Sequence, residues 1–185
     1  MIESTYLKND TSYLSVDAFL KLQEESEQSY EYDKGQLVPV TSMKNTGRYL
    51  VSNLQRKWQN TKAYKEGAEL IPETDCWLSE DQMRRPDLAY FTHAQIEESA
   101  KGEHPIPAFV IEIISKNDEI NQVELKTKEY LEAGVKLVWH VFPALKMVRI
   151  FKNIRTSHSF FEDDILDASP VLPAFKIKVG DIFKL

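Results

Sequence analysis

Apolar positions in this chain alternate between helical and extended spacing. Ser15 followed by Val16, Phe19, Leu20 and Leu22, with Asp17 in the first turn, predicts a capped amphipathic helix ending near Gln28. Tyr30-Glu31-Tyr32 and Gln36-Leu37-Val38-Pro39-Val40 flank Asp33-Lys34-Gly35, which predicts a hairpin. Tyr49, Leu50, Leu54 and Trp58 then recur at helical spacing from about Thr46 to Asn60. Extended runs follow at Leu70 to Leu78, Asp87 to Phe91 and Ala108 to Ser115, separated by polar loops. A helix from about Asn117 to Ala133 stops at Gly134. Strands are expected at Lys136 to Phe142, Met147 to Lys152 and Ser157 to Glu162, with a strand-rich tail from Val171 to Phe183. That order predicts an α/β (α+β) fold, a mixed sheet with helices on it, in one domain spanning residues 1–185.

The most apolar stretch, Phe109-Val110-Ile111-Glu112-Ile113-Ile114, contains a glutamate. Side chains alternate along a strand, so Glu112 shares a face with Val110 and Ile114 while Phe109, Ile111 and Ile113 occupy the other. Both faces are apolar, as in a central strand covered on both sides. Asp87 repeats the situation at the start of Leu88-Ala89-Tyr90-Phe91. An ionised carboxylate in such surroundings must change protonation, pair with a cation, or be held for function. A structural ion pair, or a strand end reaching water, is the bland reading. The functional reading takes a divalent metal ion as the compensating charge.

The following helix supplies a third group. Projected at about 100° per residue, Ile120, Val123, Thr127, Tyr130, Leu131 and Ala133 form its apolar stripe, and Lys126 falls inside that arc while Lys128 points outward. A lysine there either snorkels to solvent or reaches the carboxylates. Two acids and a lysine are a hydrolytic constellation. The acids bind Mg²⁺ or Mn²⁺, and lysine orients the nucleophile or stabilises charge on a phosphate.

Charge adds a partner. The chain carries −6, yet from Lys44 to Lys65 there are six basic residues, Lys44, Arg48, Arg56, Lys57, Lys62 and Lys65, and no acid, so that segment is +6 against −12 elsewhere. This asymmetry points to a polyanion, with Arg48, Arg56 and Lys57 the nucleic-acid-binding candidates. One cysteine, Cys76, excludes an internal disulfide and a multi-thiolate zinc site, and the four histidines show no paired ligand spacing. With no long apolar stretch near the N-terminus, a cytoplasmic, membrane-free protein is expected.

Arg85-Pro86-Asp87, Val110-Ile111-Glu112-Ile113-Ile114-Ser115, Lys126 with Tyr130 and Ala133-Gly134-Val135, and Trp139 together resemble the Uma2 family of restriction endonucleases in the PD-(D/E)xK nuclease superfamily. The Tyr30 to Val38 segment is similar to that family's N-terminal hairpin, so the likeness spans nearly the whole chain. It implies a restriction-endonuclease-like core acting on DNA, often as a homodimer, with Asp87 and Glu112 as metal ligands. The superfamily's usual lysine, two residues after the acid, would fall on Ile114; in this family it lies on the next helix, matching Lys126. Glu31 matches a recurrent acid of the hairpin and is a further candidate contributor. Two positions depart from the pattern: Gly47 stands where the family often has histidine, and Phe142 where it often has aspartate. Two functions are therefore open, a metal-dependent endodeoxyribonuclease and a DNA-binding or oligomerisation module that has lost turnover.

Overall fold

The computed structural model describes residues 13–40 and 45–184; the side chain of Lys44, one of the six clustered bases, lies outside them. Helix α1 spans Val16–Glu25, capped by the Ser15 side chain on the Ala18 N–H. It stops short of Gln28, at Ser26, whose backbone is already extended. Strands β1 (Tyr30–Asp33) and β2 (Gln36–Pro39) form the expected hairpin. Its two turn residues, Lys34 and Gly35, have φ of 49° and 89°, the left-handed pair that matches strand twist in a two-residue loop.

Helix α2 (Asn45–Trp58) and the short α3 (Lys62–Lys65) lead into β3 (Glu69–Pro72). The single run expected from Leu70 to Leu78 is in fact two strands in different sheets. Pro72 cannot continue a ladder and Glu73 turns through a φ of 46°, so β4 (Cys76–Ser79) departs to pair with β5 (Gln82–Arg84). After β6 (Leu88–Phe91), a helix α4 (His93–Ser99) replaces the expected loop. Thr92 and Gln95 close a capping box on it. Thr92→Ala should therefore cost about 1 kcal/mol in urea unfolding; an unchanged midpoint would show the box to be idle.

The remaining elements are β7 (Phe109–Ile113), α5 (Ile120–Ala133), β8 (Leu137–Phe142), β9 (Met147–Asn153), β10 (Thr156–Phe161), β11 (Ile165–Asp167), β12 (Lys176–Lys178) and α6 (Val179–Ile182). Gly134 ends α5 at a φ of 117°.

A six-stranded mixed sheet runs β10-β9-β8-β7-β6-β3, with β7 and β8 parallel and the other pairs antiparallel. A second, four-stranded sheet runs β2-β1-β5-β4, and β11 pairs with β12. The alternation read from β7 sorts the core. Phe109 and Ile111 join Trp139 beneath α2, α6 and the β11–β12 hairpin, while Val110 joins Ala89, Val138 and Tyr130 beneath α5. The other side of α5 meets the four-stranded sheet, so this helix is clasped between two sheets. Within its apolar stripe Val123, Thr127 and Tyr130 are buried, but Ile120 is 56% exposed because it sits in the first turn, beyond the sheet.

Candidate active site

Strand pairing brings the two carboxylates together. Leu88 is paired with Ile111 and Ala89 with Val110, and continuing that register by one residue sets Asp87 opposite Glu112 on the face covered by α5. Asp87 lies just before β6, where its side chain folds back to accept the Ile113 N–H on Oδ2 at 2.6 Å. Glu112 accepts the Tyr130 hydroxyl on Oε1 at 2.7 Å. Neither carboxylate has an ion-pair partner among the described residues, and both are partly exposed. The structural ion pair allowed by the sequence is thus not what Asp87 and Glu112 make.

Electrostatics follow from that arrangement. Burial pushes the Asp87 carboxyl up to about 6, offset in part by the Ile113 N–H and Lys126. Burial likewise raises Glu112 to about 8; Lys126 and the Tyr130 hydroxyl work against it, and Asp87 and Glu31 work with it. Burial pulls the Lys126 ammonium down, but Glu112 and Glu31 outweigh it and its pKa is raised. Lys126 therefore stays protonated at neutral pH.

The lysine's direct partner is Glu31, at 2.7 Å from Nζ to Oε1. Glu31 is 1% exposed and both its oxygens are occupied. Oε1 also accepts the Arg85 N–H at 3.0 Å, and Oε2 accepts from Arg84 at 3.3 Å. Arg84, on β5, forms a two-pronged bond with Glu129 at 2.8 and 3.0 Å and reaches Asp33 at 3.1 Å. This hub tethers α5 to the four-stranded sheet. Sequence reading missed Arg84 and Glu129, because Arg84 reaches Glu31 and Asp33 through the pairing of β1 with β5 and Glu129 through the packing of α5 on the four-stranded sheet.

Around the site Glu31, Asp33, Asp87, Glu112 and Glu129 face Arg84 and Lys126, with Glu73 and Asp118 adding negative charge near Asp87. The uncompensated share falls on Asp87 and Glu112, each keeping one oxygen, Oδ1 and Oε2, without a hydrogen bond among the described residues. Two hard oxygens with surplus negative charge fit a divalent cation such as Mg²⁺ or Mn²⁺. No set of three or more His, Cys, Asp or Glu among the described residues is placed to hold an ion, so water and substrate oxygens would complete its coordination.

Two other buried groups lie close by. His140, paired with Glu112 across the parallel strands, has Nε2 2.8 Å from Thr127 Oγ1, and Nδ1 has no partner among the described residues. Burial, with Arg149 nearby, lowers its pKa to about 4, so the ring is neutral. Burial raises the Cys76 thiol well above its usual range. Phe142, the departure on β8, carries the Arg149 guanidinium 5.5 Å above its ring.

The basic helix is elsewhere. Leu50, Leu54 and Trp58 place α2 against the sheet face opposite α5, and Trp58 meets the Tyr90 ring at 5.5 Å. Tyr90 is three residues along from Asp87, roughly 10 Å at strand spacing. Arg56 and Lys57 thus sit behind the sheet, away from the carboxylates. Lys57 pairs with Asp181 at 3.1 Å, whereas Arg48 and Arg56 are ordered in α2 without an ion pair among the described residues.

A central mixed sheet flanked by helices defines this as a mixed α/β fold. The same fold occurs in the crystal structure titled as a putative nuclease belonging to DUF820 from Anabaena variabilis ATCC 29413: TM-score 0.78, 21% identity, covering 92% of this chain and 97% of that one. The chain belongs to the Uma2 family, described as "Putative restriction endonuclease", which it matches over residues 16–180. No curated protein matches it. No helix among the described residues is long and apolar enough to cross a membrane.

Proposed function

We propose that this protein is a metal-dependent endonuclease that hydrolyses DNA phosphodiester bonds. The observation that carries the reading is the opposition of Asp87 and Glu112 across β6 and β7, with raised pKa values and no cation paired to either among the described residues. Asp87 and Glu112 would hold Mg²⁺ or Mn²⁺ through Oδ1 and Oε2. When bound, such an ion supplies an activated water and neutralises charge on the phosphate.

Lys126 is a charged donor and not a base. Held protonated, it would offer N–H groups to the phosphate oxygens as negative charge builds on them. Glu31 is not a metal ligand in this reading, because its oxygens are taken by Lys126, Arg85 and Arg84. It aims the ammonium and, after Glu112, helps keep it protonated. Attack of water on phosphorus and loss of the bridging oxygen cut one strand; cutting both calls for a second site, which a homodimer supplies.

The test is nicking of supercoiled DNA with Mg²⁺ or Mn²⁺ by the wild type, Asp87→Asn and Lys126→Ala. Losses of at least about 100-fold in both variants are expected. Equal cleavage by all three would mean a contaminant or a reacting site elsewhere than Asp87 and Lys126. DNA binding without cleavage by any of them would favour the binding-module reading.

Arg48, Arg56 and Lys57 would serve flanking DNA and not the scissile phosphate. Arg56→Ala is expected to lower the salt dependence of DNA binding by about one unit of slope per lost phosphate contact, with single-turnover cleavage of bound DNA unchanged. A lower cleavage rate at saturating protein would place Arg56 at the reacting centre instead.

A further inference from the structure

The two oxygens of Glu112 are not equivalent. Oε1 accepts the Tyr130 hydroxyl at 2.7 Å, while Oε2 accepts no hydrogen bond among the described residues. Asp87 shows the same division, with Oδ2 held by the Ile113 N–H at 2.6 Å and Oδ1 without a hydrogen bond among the described residues. Each carboxylate is therefore pinned by one oxygen and open at the other. The pin on Asp87 is backbone, part of the strand itself. That on Glu112 is a side chain from another element, four residues after Lys126 on α5.

Tyr130 is suited to hold a fixed direction. Its ring is fully buried among Val110, Val135, Val138 and Phe151, so the hydroxyl is delivered from a packed position with little freedom to swing. A buried phenol usually finds a polar partner, and the partner this one takes is a carboxylate of the proposed metal site. Without the hydroxyl, Glu112 could turn about its last torsion, which is broad for a glutamate.

We propose that Tyr130 is a positioning residue whose hydroxyl fixes the rotation of the Glu112 carboxylate, so that Oε2 is presented beside Asp87 Oδ1 to a divalent cation. The proposal rests on the metal-binding reading given above. Outer groups that orient a ligand commonly account for 10- to 100-fold in metal affinity. Tyr130 does this through Glu112, without touching the ion or the substrate.

The experiment is Mn²⁺ titration of the full chain, followed by the paramagnetic resonance of free Mn²⁺, on wild type, Asp87→Asn and Tyr130→Phe. Wild type should bind, Asp87→Asn should lose binding, and Tyr130→Phe should bind about 10- to 100-fold more weakly. Equal affinity in Tyr130→Phe and wild type overturns the role of Tyr130 and leaves the metal site standing. No binding by wild type overturns the metal reading, and this proposal with it. If Tyr130→Phe does not fold, 3-fluorotyrosine at position 130 carries the test. Its ¹⁹F resonance should move on adding Mg²⁺ to the otherwise wild-type chain and stay still in Asp87→Asn; a resonance unmoved in a metal-binding chain overturns the proposal.

Discussion

Replacing Arg84 with methionine is expected to destabilise the protein by about 3 to 5 kcal/mol, among the largest effects of any single substitution. The Arg84 side chain is 4% exposed and is bonded to three carboxylates, Glu31, Asp33 and Glu129. Methionine fills a similar volume without charge, leaving Glu31 with Lys126 and, among the described residues, Asp33 and Glu129 with no ion pair. The penalty comes from stranding them, more than from losing an attraction. Urea unfolding of the metal-free protein measures it, and a loss under about 1 kcal/mol would show that solvent reaches the cluster. Adding Glu129→Gln to Arg84→Met should recover part of the loss by removing one stranded charge.

The opposite sign is expected at the proposed metal site. Glu112→Gln should stabilise the metal-free protein by on the order of 2 kcal/mol at pH 8.5. A carboxyl whose folded pKa lies above its unfolded value binds more protons when folded. Its stability contribution is complete at low pH and is lost as pH rises from the unfolded value through the folded one. For Glu112 that window runs from 4.5 to about 8, and for Asp87 from 3.8 to about 6. His140 works the other way between about 4 and 6.5, since a base kept neutral by folding gains stability as pH rises. Above pH 6.5 the Asp87 and His140 windows are past and Glu112 remains, so wild-type stability should fall from there to pH 8.5. The decline should largely vanish in Glu112→Gln, whose amide oxygen can still accept from Tyr130. Saturating Mn²⁺ should also remove it in wild type, because an ion that binds only the folded state stabilises it. A flat wild-type profile, or a strongly destabilised Glu112→Gln, would point to a structural carboxylate.

What could be read in the sequence depended on how local the information was. The placement of Glu112 and Asp87 followed from alternation in short apolar runs, and one antiparallel register then made them neighbours. The inward turn of Lys126 followed from helical projection. Its partner did not, because Glu31 is 95 positions away and is delivered by a separate sheet. Tyr130 read as one more residue of an apolar stripe, since periodicity reports a ring's burial and not where its hydroxyl points. The basic helix was found, but periodicity does not say which face of a sheet a helix covers, and α2 covers the one opposite the carboxylates. The break between β3 and β4 was signalled by Pro72; that the two halves join different sheets is a long-range outcome. The capping box at Thr92 was a local signal, present in Thr92 and Gln95, that went unread among polar neighbours.

The clasping of α5 between two sheets also bears on when the proposed site could assemble during synthesis. The hairpin carrying Glu31 leaves the ribosome 95 residues ahead of Lys126, and the strands bearing Asp87 and Glu112 emerge in between. Each piece is made without its counterpart, and contacts so distant in sequence form late in folding. A nascent chain of this design has no Glu31–Lys126 pair until an earlier part closes over a later one.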